Sequence, residues 1–128
     1  MSDYRFYYPI EIRYGDLDPQ GHVNNAKYLT YMEQARIAYI QHLGLWEGKT
    51  FLDIGMILAE AKVTFLASIH LTQKVRVGVR TTHMSEKSFN MLYVIEEANT
   101  QKELATGAAV MVAYDYETNQ SIPIPEVW

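Results

Sequence analysis

The sequence predicts an α+β fold, a five-stranded antiparallel sheet wrapped around one long central helix. Three observations lead there. One segment, Ala26 to Leu43, carries apolar side chains over an arc too wide for a helix touched on a single side. Five other segments read as strands, four of them from residues that alternate with period two and the last from a long run rich in Ala and Val. The order is one strand, the helix, then four strands, and consecutive strands joined by short turns pair as antiparallel neighbours.

The first strand runs from Arg5 to Tyr14, where Phe6, Tyr8, Ile10, Ile12 and Tyr14 alternate with Tyr7, Pro9, Glu11 and Arg13. Pro9 cannot donate to a ladder, so it belongs where its nitrogen faces no neighbour. The helix, roughly 27 Å long at 1.5 Å per residue, confines Lys27, Thr30, Gln34 and Gln41 to a narrow polar stripe. Gly44 closes it as a left-handed cap. Glu33 and Arg36, three apart, pair on its solvent side. Leu45 to Gly55 is an irregular connection suited to covering a substrate entrance. Four strands follow: Met56 to Phe65, Lys74 to Thr82, Ser88 to Glu97 and Glu103 to Tyr116, with hairpin turns at Met84 to Lys87 and Ala98 to Lys102. Glu60, a carboxylate among apolar neighbours, reads as an edge-strand or interface charge.

A chain of 128 residues makes one domain, 1–128, and 48% hydrophobic with 20% charged residues is an ordinary globular balance. The net charge of -4, without a Lys/Arg run, argues against nucleic acid as a partner. The N-terminus lacks a charged-then-apolar secretory pattern and Glu33 and Arg36 interrupt the longest apolar region, so the expectation is a soluble, cytoplasmic protein with no membrane partner. No cysteine is present, which excludes disulfides, a thiol nucleophile and Cys-ligated zinc. His42, His70 and His83 lie without metal spacing, and no metal site is expected.

Polar chemistry is concentrated in Tyr14-Gly15-Asp16-Leu17-Asp18-Pro19-Gln20-Gly21-His22-Val23-Asn24-Asn25-Ala26-Lys27-Tyr28. Gly15, Pro19 and Gly21 make it a loop feeding a helix. Asn24 or Asn25 caps that helix, leaving other first-turn amides and the positive dipole end over the loop, where an electron-rich oxygen is stabilised.

This stretch resembles the signature of hot-dog fold acyl-CoA thioesterases, specifically the 4-hydroxybenzoyl-CoA thioesterase-like family. The matching residues are Gly15-Asp16-Leu17-Asp18-Pro19, then Gly21, His22, Val23, Asn24, Asn25 and Tyr28. Asp18, His22-Val23-Asn24-Asn25 and Tyr28 are also similar to the catalytic segment of plant-type acyl-carrier-protein thioesterases, with Gln20 where those enzymes usually carry Asn. The tail Ile122-Pro123-Ile124-Pro125-Glu126 extends the likeness. The resemblance implies the hot-dog arrangement that the pattern of strands and helix reaches independently.

It also implies roles. Asp18, otherwise read as a turn aspartate beside Pro19, becomes the carboxylate that attacks the thioester carbonyl or activates water. The amide near Asn25 receives the charge developing on the carbonyl oxygen. Asp16 is architectural. His22 either orients water or Asp18, or is a structural hydrogen bonder. Asn24 and Asn25 are caps first and orient substrate or water second, while Tyr28 divides between core packing and contact with the acyl group. Lys62, Lys74, Arg76, Arg80 and Lys87 offer phosphate contacts for coenzyme A or form a solvated sheet face. The family's basic pair is replaced by Ser85-Glu86, so the implied phosphate contacts rest on Lys87 and Ser88.

The expected activity is hydrolysis of an acyl-CoA or acyl-carrier-protein thioester with no separate cofactor, coenzyme A being part of the substrate. A single hot-dog completes itself as a homodimer or homotetramer, with Met56 to Phe65 as the edge suited to pairing. Two rivals are a non-catalytic acyl-binding module and a hot-dog enoyl-CoA hydratase. The regulators of the first kind carry an added DNA-reading domain, for which this chain has no room. The hydratase signature Gly-Asp-x-Asn-Pro-x-His meets Asp18 in place of its Asn, and His22 one residue late.

Overall fold

The computed structural model describes residues 4–44, 56–115, 118, 120–121 and 123. Strand β1 (Phe6–Ile10) is followed by a 3-10 turn at Tyr14–Asp16, helix α1 (Asn25–His42), and strands β2 (Met56–Phe65), β3 (Val75–Met84), β4 (Ser88–Glu97), β5 (Glu103–Asp115) and β6 (Gln120–Ser121). The sheet order is β1-β3-β4-β5-β2, with β6 on β5 and every pairing antiparallel. This is the α+β hot-dog arrangement.

The hairpins β3-β4 and β4-β5 follow from their short turns, whereas β2 crosses to the far edge and pairs β5. At the other edge Pro9 of β1 stands opposite Arg76, with no strand beyond it among the described residues. The first strand stops at Ile10 rather than Tyr14, because Asp16 N–H turns back to the Arg13 carbonyl and the chain leaves the ladder. β3 runs two residues past Thr82, through a register shift before Met84. The two-residue β6 has too little pattern to be seen in sequence. Leu45 to Gly55 and the tail residues Ile122 and Ile124 to Glu126 lie outside the described residues, as does Tyr116.

One sheet face and α1 enclose the core. Val75, Val77 and Val79 of β3, Phe89, Met91, Tyr93 and Ile95 of β4 and Ala105, Ala109 and Met111 of β5 are buried with Tyr28, Tyr31, Met32, Ala35 and Ile40 of α1. On the opposite face Glu96 is buried under Arg76, whose Nη2 lies 2.7 Å from it while its guanidinium covers the Tyr7 ring at 3.8 Å. That engagement takes Arg76 out of a solvated basic face. The side of α1 bearing Leu29, Glu33 and Gln34 remains exposed.

Asn24 caps α1, its side chain accepting from Ala26 N–H, and Gly44 follows the C-cap Leu43 at φ +76°, the left-handed conformation that glycine adopts without a Cβ clash. No helix among the described residues is long and apolar enough to cross a membrane.

Candidate active site

The loop between β1 and α1 is held from three directions. Asp16 is its tie to the helix: its Oδ2 accepts from Arg13 N–H at 3.1 Å and from the Tyr31 hydroxyl at 2.7 Å, and Lys27 Nζ lies 3.9 Å from its Oδ1. The Asp16 carbonyl also accepts from Asn24 N–H at 2.8 Å. Both Asp16 Oδ2 and the Asp16 carbonyl are thus taken up by the fold, and Oδ1 is left with only the distant Lys27 charge.

Asp18 is engaged differently. Its Oδ1 accepts from Gln20 N–H at 2.9 Å and His22 N–H at 3.2 Å, the pattern of an Asx turn, and its own N–H donates to the His22 carbonyl at 2.7 Å. Gly21, at φ +80°, lets the chain reverse so tightly. The second carboxylate oxygen, Oδ2, has no protein partner among the described residues. Asp18 is thus fixed through one oxygen and available through the other.

The loop then runs into the helix N-terminus. Asn24 Oδ1 satisfies Ala26 N–H and the Asn24 carbonyl accepts from Lys27 N–H, but the Asn25 N–H has no acceptor among the described residues. An uncommitted amide at the positive end of an 18-residue helix is placed to donate to an anionic oxygen. Of the two cap candidates Asn24 is the cap, and the Asn25 amide is left without an acceptor among the described residues.

Tyr28 is buried; its hydroxyl donates to the Ala67 carbonyl at 3.4 Å and its ring meets Phe65 edge-on at 4.8 Å. Burial raises its pKa, and the Asp18 charge raises it further, which places the Asp18 carboxylate within electrostatic reach of the Tyr28 hydroxyl. Tyr28 is thus packed into the core beside the loop.

The third tie is to the segment between β2 and β3. Val23 N–H donates to the Ile69 carbonyl at 2.9 Å, and the His22 and His70 rings meet edge to face with centroids 4.8 Å apart. His70 N–H is itself held by Gln73 Oε1 at 2.7 Å. In sequence His70 lies with His42 and His83 without metal spacing, and only the fold brings it to His22. No third His, Cys, Asp or Glu joins the pair in a metal-holding group among the described residues.

Two expected contacts are elsewhere. Lys87 and Ser88 lie at the β3-β4 hairpin, where Met84 pairs Phe89 and the Ser85 and Ser88 hydroxyls are 2.6 Å apart. The motif loop lies at the opposite end of β3, near Val75, a separation of roughly 30 Å along a ten-residue strand. One chain does not bring Lys87 and Ser88 to its own Asp18. Arg36 also departs from expectation. It stays 3.6 Å from Glu33 but is buried rather than on the solvent side, with Nη1 donating to the Tyr93 hydroxyl at 3.2 Å. Its position falls on the helix face of Met32, Ala35 and Ile40, so the aliphatic stem packs inward and carries the charge with it.

Comparison with known proteins agrees with this fold. The sequence profile of the thioesterase-like superfamily matches residues 12–128. YsmA of Bacillus subtilis (strain 168) is 25% identical over 122 residues, covering 94% of this chain and 80% of its own. A thioesterase from Thermus thermophilus, solved with coenzyme A and Zn, superposes with a TM-score of 0.86 at 32% identity, covering 99% of this chain and 90% of that one. Slr0204, a 1,4-dihydroxy-2-naphthoyl-CoA thioesterase from Synechocystis, shares the fold with a TM-score of 0.85 at 22% identity, covering 96% and 91% of the two chains. With the profile spanning nearly its whole length, the chain belongs to the thioesterase-like superfamily and is a thioester hydrolase of the hot-dog fold.

Proposed function

We propose that the protein hydrolyses an acyl-CoA thioester to the free acid and coenzyme A, with Asp18 as nucleophile or general base. The observation that carries this reading is the division of labour in the Asp18 carboxylate: Oδ1 is pinned by two amides and Oδ2 is free, one loop away from the uncommitted Asn25 N–H. Attack by Oδ2 on the thioester carbon gives an acyl anhydride that water then cleaves; abstraction of a water proton by Oδ2 delivers hydroxide directly. Both routes put negative charge on the carbonyl oxygen, which the Asn25 amide and the helix dipole receive. The departing thiolate, from a thiol with pKa of about 8.5, leaves without a strong general acid. His22 orients the attacking water.

The coenzyme A complex of the Thermus thermophilus relative supports the carrier assignment. Because Lys87 and Ser88 stand far from their own Asp18, the phosphates of a thioester bound at one loop meet Lys87 of a second copy. A homodimer joined through the open edge of β2 makes such an arrangement available. Thiol release from acyl-CoAs of differing length and aromaticity tests the reading. Turnover of at least one is the expected result, and acyl-CoA binding without any thiol release overturns it in favour of a non-catalytic acyl-binding module.

A further inference from the structure

Arg36 is 8% exposed and Tyr93 1%. A guanidinium carries five N–H donors, and taking it out of water is costly unless they are satisfied. Here Nη1 donates to Tyr93, and Nη2 lies 3.6 Å from Glu33 Oε2, beyond a good hydrogen bond, with the Glu33 side chain 65% exposed. No buried side-chain nitrogen among the described residues lacks both a partner and accessible surface. Arg36, whose remaining donors have no protein partner among the described residues and are not fully sealed from solvent, lines a cavity of about 230 Å³ between α1 and the β2-β5 edge of the sheet.

Its walls are apolar, made by Leu29, Met32, Leu58 and Ala108 among others, while Arg36, Lys62 and Glu33 supply two positive charges against one negative. The lining begins at Leu29, four residues past Asn25, and reaches Arg36, eleven past it, so it extends over roughly 6 to 17 Å along the helix axis from the uncommitted amide. An apolar channel with a cationic end suits a hydrocarbon chain that ends in a carboxylate. We propose that this cavity takes the far end of the acyl group and that Arg36, oriented by Tyr93, selects acyl groups bearing a carboxylate remote from the thioester. The proposal rests on the thioesterase reading above.

The test compares kcat/KM for an ω-carboxyacyl-CoA with that for the unsubstituted acyl-CoA of equal length, in the native protein and in Arg36→Met. Expected is a preference for the ω-carboxyl substrate on the order of tenfold to a hundredfold, which Arg36→Met abolishes by bringing the two values together. Tyr93→Phe, close to isosteric, serves if Arg36→Met fails to fold, and it too narrows the preference. Heat stabilisation by the free dicarboxylic acid, against the matching monocarboxylic acid, reads the cavity without turnover. Stabilisation that depends on Arg36 in a protein hydrolysing no thioester upholds the cavity and rejects the thioesterase reading. Hydrolysis with no preference in the native protein overturns the cavity assignment alone. Dissociation of Arg36→Met to a smaller species also overturns it, since a second copy would then be what the cavity holds.

Discussion

The Tyr31 hydroxyl donates to Asp16 Oδ2 at 2.7 Å, joining the second turn of α1 to the loop that carries Asp18. Asp16 and Asp18 are two residues apart, yet one is consumed by the fold and the other is half free. Removing this hydroxyl should act on stability rather than chemistry. Tyr31→Phe is expected to lower unfolding free energy by about 1.5–3 kcal/mol, the worth of a hydrogen bond to a charged group. Denaturant titration checks this, and turnover per folded molecule should change far less than in any Asp18 variant.

The same tyrosine gives the protein an alkaline limit. Burial, and next the hydrogen bond to Asp16, raise the Tyr31 pKa well above its ordinary 10.0. Tyr28 and Tyr93 are raised too, in both cases first by burial. A folded-state pKa above the unfolded value means the folded protein holds the proton more tightly. The contribution is therefore fully present below about pH 10 and is lost as pH rises beyond it towards the folded value. Urea midpoints should fall above pH 10, and less steeply in Tyr31→Phe. A midpoint that rises there would refute the assignment.

Asp18→Asn keeps an Oδ1 acceptor for Gln20 and His22 N–H but replaces the free oxygen with an amide nitrogen. The loop should hold its shape while kcat falls by about 10²–10⁴-fold. Unchanged circular dichroism and assembly with lost thiol release is the expected pair of results. Native-like turnover would remove Asp18 from the chemistry.

β2 ends the main path of the sheet, and Leu58 and Phe65 on it are about half exposed, beside Glu60 and Lys62. An open edge with exposed apolar side chains calls for a partner. Sedimentation at micromolar concentration should give at least twice the chain mass. A monomer with full activity would contradict both this and the two-copy placement of Lys87.

Lys87→Glu should raise KM for acyl-CoA several-fold at low salt with kcat nearly unchanged, and the effect should shrink as salt rises. A sharper outcome follows from distance. On the proposed two-copy placement, where Lys87 of one copy serves Asp18 of another, chains bearing Asp18→Asn mixed with chains bearing Lys87→Glu should regain one complete site per mixed pair. Recovery of high-affinity turnover on reassembly is expected; additive loss would place Lys87 beside its own Asp18 or outside the site.

The helix, the strands and the motif loop are legible in the sequence because their causes are local. Alternation of period two, a cap at Asn24, a glycine at position 44 and the Asx turn at Asp18 each depend on residues a few positions apart, and the chain encodes them directly. The first strand reads too long for the same reason: Ile12 and Tyr14 keep the alternation, but a strand also needs a ladder partner, which sequence does not supply. What lies against what was decided by tertiary structure. The crossing of β2 to the β5 edge, and the return of the following segment to the motif loop, set His70 against His22 over a large gap in sequence. The turn angle of the helix carried Arg36 inward to Tyr93 instead of outward with Glu33. The length of β3 put Lys87 at the far end from Asp18. These relations arise when distant segments share one core, where packing rather than local propensity selects the neighbour.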